Sequence, residues 1–132
     1  MRFAVTLSLV LVLVVCGFAV AQQTRSVLIQ TPTANETVAR VDEVRGICAV
    51  KAAIAVVFVK ALDGDVWHVQ ESTIQDGAKY KCNAHFGEVE SKGKYKIVVV
   101  AVPKEKVKEY PEGKKIATLP DYPASDPVIV TR

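Results

Sequence analysis

The groups able to do chemistry in this 132-residue sequence are few: two histidines, His68 and His85, three cysteines, Cys16, Cys48 and Cys82, and scattered serines and carboxylates. Imidazole and carboxylate together make a zinc ligand set, so either histidine could work with Asp63, Asp65 or Glu71. Their spacing does not force such groups to converge, and both histidines fall on strand positions turned away from the core. No metal site is expected. Asp63-Gly64-Asp65 lacks the remaining ligand positions of a calcium loop and reads as a turn. Ser72, Ser91 and Ser125 sit in loops with no nucleophile-elbow motif and no obvious base. The pairs Glu88/Glu90 and Glu105/Glu109 read as charged loop and helix surface, not as two carboxylates facing across a cleft. No catalytic and no cofactor-binding constellation is therefore expected, and the chain is read as a non-enzyme.

The aromatic residues divide by setting. Trp67, Tyr80, Phe86 and Tyr95 lie in strand-like runs, where a large apolar side chain is worth most when buried. Tyr110 and Tyr122 stand in a charged, proline-rich stretch and are the candidate ligand-contact aromatics.

The elements that must position these residues begin at an export signal. Arg2 is followed by an apolar run from Ala4 to Val15, and Ala19-Val20-Ala21 puts small residues where a signal peptidase cuts. Residues 1–21 are expected to be a secretory signal peptide and residues 22–132 a single domain, secreted or held in the periplasm or cell envelope. Leu13-Val14-Val15-Cys16 resembles a bacterial lipoprotein processing motif but departs from it at Val15. A membrane role is thus expected only if Cys16 is lipidated. In an oxidising compartment the remaining even pair, Cys48 and Cys82, is expected to form a disulfide. Such a bridge would close a loop of about 35 residues and add roughly 3–4 kcal/mol on the loop-entropy model. The chain has 17 basic and 14 acidic residues, and its lysines are mixed among acids. That leaves no basic field for nucleic acid.

Beyond the signal, short β-branched runs alternate with turn formers, the pattern of antiparallel strands. Strands are expected at 26–31, within 38–50, and at 54–61, 65–71, 79–86, 94–102 and 127–131, with a helical turn at 104–110. Gly46 marks a bulge or close approach. Asp63-Gly64 and Asp76-Gly77 mark turns. Alternation puts Tyr80, Cys82, Ala84 and Phe86 on one face and Lys79, Lys81, Asn83 and His85 on the other. About seven short strands with regularly spaced turns predict an all-β fold, a single antiparallel β-sandwich.

Two resemblances sharpen this expectation. Asp76-Gly77-Ala78-Lys79-Tyr80-Lys81-Cys82 is similar to the tyrosine corner of immunoglobulin domains, where the tyrosine hydroxyl fastens a loop and the cysteine spans the sheets. The longer series resembles bacterial immunoglobulin-like and fibronectin type III-like exported modules. It comprises Ile29-Gln30-Thr31-Pro32, Val44-Arg45-Gly46, Val56-Val57-Phe58-Val59, Trp67-His68-Val69-Gln70, Asp76-Gly77, Phe86-Gly87 and Gly93-Lys94-Tyr95-Lys96-Ile97. That resemblance implies an immunoglobulin-like sandwich acting without chemistry of its own, as a binding or spacer module for another protein or a cell-envelope glycan. Assembly through edge strands is the alternative, and a secreted inhibitor or enzyme accessory is a weaker one.

Overall fold

The computed structural model describes residues 26–90 and 92–132. The expected signal segment, Cys16 and Ser91 lie outside the described residues. Nine strands form among them: β1 (Val27–Thr31), β2 (Val41–Cys48), β3 (Ala53–Ala61), β4 (Trp67–Val69), β5 (Ile74–Asp76), β6 (Lys79–His85), β7 (Lys94–Pro103), β8 (Lys115–Ile116) and β9 (Val128–Thr131). They pair antiparallel in two sheets, ordered β1-β2-β6-β5 and β8-β4-β3-β7-β9. The seven runs expected from alternation and β-branching all contain strands. The two further strands, β5 and β8, are too short to show a period.

Strand chemistry explains the stacking. On β6 the pattern alternates strictly, with Tyr80, Cys82 and Ala84 buried and Lys79, Lys81, Asn83 and His85 exposed. This sheet therefore has one dry face, which meets Ala55, Val57 and Val59 of β3 and Tyr95, Ile97 and Val99 of β7. Strands β3 and β7 are apolar on both faces, as a central strand covered from both sides must be. Their second face, with Val56, Phe58, Val98, Val100 and Val102, lies beneath the segment after β7. A 3-10 helix at Lys104–Glu109 opens that segment. Val107, Tyr110, Ile116, Leu119, Tyr122 and Ala124 then cover the sheet and Trp67. Backbone bonds such as Ala101 N–H to Pro123 O (2.8 Å) and Ser125 N–H to Val99 O (2.8 Å) pin it down. The proline-rich stretch is irregular, as expected, and it is also the lid of a second apolar core.

At Gly46 the prediction of close approach is met. The register of β1 against β2 slips between Ile29 and Thr31, and Gly46 faces Tyr80 across β2 and β6. The Tyr80 hydroxyl crosses above Gly46 and donates to Leu28 O on β1 at 2.8 Å. A Cβ at position 46 would lie 2.0 Å from Leu28 O and 2.8 Å from the Tyr80 hydroxyl oxygen. Only glycine fits there.

The expected disulfide is not formed: Cys48 and Cys82 are both buried, free thiols. The reason is register. Their strands, β2 and β6, are neighbours in one sheet, and Cys82 sits opposite Val44. Cys48 lies four positions further along β2, about 13 Å away at the usual rise per residue, whereas a disulfide needs Cα atoms within about 7 Å. The Tyr80-x-Cys82 corner thus lies in the same sheet as Cys48, and its cysteine does not span the sheets.

Candidate functional site

Both sheets contribute to one concavity, a cleft of about 490 Å³. It opens where the end of β6 diverges from the β3–β4 edge. Val59, Ala61 and Tyr95 form its apolar wall, and His68, Gln70, His85, Glu88 and Glu112 supply its polar groups.

Gln70 holds the two sheets together at this point. The chain leaves β4 here to cross to the other sheet, which would strand backbone groups of both. Gln70 is only 5 % exposed, and its backbone N–H and both side-chain polar atoms are matched. Its backbone N–H donates to Val57 O at 2.9 Å. Its side-chain Nε2 donates to His68 O at 3.1 Å, and its Oε1 accepts the His85 backbone N–H at 2.7 Å. Just beyond, Thr73 Oγ1 donates to Ala55 O (2.8 Å) and Gln75 Oε1 accepts Ala55 N–H (2.7 Å). The crossover thereby satisfies the stretch of β3 that β4 is too short to cover.

The rest of the rim is fixed by similar means. Arg132 donates to the carbonyls of Phe86 (2.9 Å), Glu88 and Val89 (2.6 Å), holding the loop that carries Glu88. Phe86 and Tyr95 pack edge to face, with ring centroids 5.7 Å apart. The turn bearing Glu112 is tied to β4 by Gly113 N–H to Val69 O and Val69 N–H to Lys114 O, both 2.9 Å.

Within this frame His85 and Glu71 approach to 3.8 Å (Nε2 to Oε2). Glu112 joins them, so that one ligand atom from each of the three lies within 4.8 Å of the others. Asp63 and Asp65 do not enter the group. His68 pairs with Val59 on β3 and turns its exposed side chain into the cleft. Both histidines are exposed, as the strand pattern predicts.

Sequence reasoning missed Glu112. It lies 41 residues from Glu71 in a turn beside Gly113, and no spacing rule links the two. A signal for the cleft was present all the same. Trp67-His68-Val69-Gln70, Phe86-Gly87 and the Tyr95 run, noted separately in the sequence, meet at this one place.

The other sequence candidates settle elsewhere. Tyr110 and Tyr122 are half-buried and pack on the outer core, Tyr110 edge-on to Phe58 at 6.0 Å. Trp67 is buried, with the Lys60 ammonium 5.2 Å from its ring centre. Ser125 is buried, its Oγ accepting the Val99 backbone N–H at 3.0 Å. Burial pushes the Cys82 thiol up to about 12 and raises the Cys48 thiol and the Tyr80 phenol above their usual ranges. These groups stay neutral and serve the core.

No protein-family model, curated protein or solved structure matches this chain. The functional reading rests on the geometry.

Proposed function

We propose that this chain is an exported, non-enzymatic immunoglobulin-like module that captures a hydroxyl-rich cell-envelope glycan in the cleft between β4 and β6. The strand order supports the fold assignment. In immunoglobulin sandwiches strands A, B, E and D share one sheet, and C, F and G share the other, with C′ added beside C in variable-type domains. The orders β1-β2-β6-β5 and β4-β3-β7-β9 follow that scheme.

The observation that carries the functional reading is the cleft itself. Its volume, about 490 Å³, falls in the range of small-ligand sites and not that of the flat surfaces used between proteins. Carboxylates, imidazoles and a few apolar groups around one hollow suit the hydroxyls and C–H faces of a sugar. His85 and Glu112 are exposed, so water reaches the polar groups. Such an open site favours recognition over a chemical step that requires water to be shut out.

Edge-strand assembly has less support. The outer edge of β9 is occupied by the segment before β2, with Asn35 N–H bonded to Ile129 O (2.7 Å), Val38 N–H to Thr131 O (2.8 Å) and Thr131 N–H to Glu36 O (3.0 Å). Along β3 the exposed edge is capped by Thr73 and Gln75.

Titration of isotope-labelled protein with soluble N-acetylglucosamine and glucosamine oligomers tests the proposal. Amide shifts concentrated at His68, Gln70, His85 and Glu88, and weakened by Glu88→Gln, are expected. Shifts confined to Lys79, Lys81 and Asn83 and absent from the cleft, or saturable binding unaffected by cleft substitutions, would refute it.

A further inference from the structure

We infer that Glu71, His85 and Glu112 form a binding site for a divalent transition-metal ion, with zinc as the best match. One imidazole nitrogen and two carboxylate oxygens lie within 4.8 Å of one another. Zinc takes such ligands at about 2.0–2.2 Å in tetrahedral sites. Neighbouring ligand atoms would then be about 3.5 Å apart by simple tetrahedral geometry. The His85–Glu71 separation of 3.8 Å is already close to that. Glu112, exposed on its turn, brings the third ligand atom within 4.8 Å of the other two.

Each ligand comes from a separate piece of chain, and the 69–71 segment ties the three pieces together. Glu71 Oε1 accepts the Asn83 backbone N–H at 3.3 Å, which orients the carboxylate and leaves Oε2 towards His85. His85 is anchored through its own N–H by buried Gln70. Glu112 rides on the turn tied to β4 through Val69. The Asn83 bond to the Glu71 carboxylate is of the kind that metal sites use to orient a ligand.

The charge balance points the same way. Two carboxylates are brought together, and among the described residues no lysine or arginine forms an ion pair with either. The ionic neighbour of Glu71 is His85. A dication would balance the charge of the two carboxylates. An imidazole in the set favours zinc, copper or nickel over calcium and magnesium, which prefer oxygen alone. Since His85 and Glu112 line the cleft, the ion would form part of its wall. The site stands on its own residues and does not depend on the glycan reading.

Zinc chloride titrated calorimetrically into chelator-stripped protein is the test. One ion per chain is expected, with His85→Ala and Glu112→Gln each weakening binding by about tenfold or more. Glu105→Gln, on the exposed 3-10 helix, should leave it unchanged. Because these side chains sit at the surface, the variants should fold, and zinc should raise the melting temperature of the parent but not of His85→Ala. Absence of heat and of a thermal shift, or equal affinity in parent and His85→Ala, overturns the inference. Zinc binding that survives while the sugar oligomers fail to bind overturns the glycan reading alone.

Discussion

Tyr80 and Gly46 act as one unit across three strands. Removing the hydroxyl leaves Leu28 O without its donor, so Tyr80→Phe should cost about 1–2 kcal/mol in denaturant unfolding. Gly46→Ala should cost more, roughly 3 kcal/mol or above, because the new Cβ meets the Leu28 backbone as well as the Tyr80 hydroxyl. The cysteines carry a second prediction. A thiol reagent should find both Cys48 and Cys82 in denaturant without prior reduction, and neither in the folded protein, where burial keeps each thiol protonated. Each raised pKa means that the folded state holds its proton more tightly than the unfolded chain does. The resulting stability is complete below the unfolded thiol value of 9.0 and is lost as pH rises towards about 12. Tyr80 acts in the same direction. The denaturation midpoint should therefore fall through that alkaline window. Alternation along β6 places Cys82 inward from sequence alone, but it fixes a face and not a neighbour. The missing bridge follows from pairing β6 with β2, which no local pattern specifies.

At the scale of elements, the crossover from β4 to β5 and the segment after β7 do most to shape the molecule. Gln70→Ala leaves the partly buried His85 N–H without its acceptor and should cost about 1–3 kcal/mol, together with altered amide shifts along the cleft. Tyr110→Ala and Leu119→Ala uncover the outer face of β3 and β7, and each should lower stability by about 1–3 kcal/mol. Trp67 reports on that cover, so its fluorescence should shift to the red when the segment is loosened. The long strands are legible in the sequence because β-branched runs and Asp-Gly turns are local signals. Short β5 and β8 are invisible because two or three residues carry no period. The covering role of residues 104–124 also escapes a local reading. It arises from the need to bury the second face of β3 and β7, whose nearly continuous apolar runs announce that need without naming what meets it.

Across the whole molecule, distant pieces of chain converge where the two sheets part, and that convergence defines the candidate site. His68, Gln70 and His85 come from the strand region, Glu112 from the far turn, and the Arg132 clamp from residues next to β9. The sequence held the pieces but not their meeting. Amide shift mapping with glucosamine and N-acetylglucosamine oligomers, on the parent and on Glu88→Gln, tests whether this cleft is the ligand-binding surface. Saturable shifts at His68, Gln70, His85 and Glu88 in the parent, diminished in the variant, are the predicted result. Saturable shifts confined to another face, or a cleft that no oligomer perturbs, would contradict it.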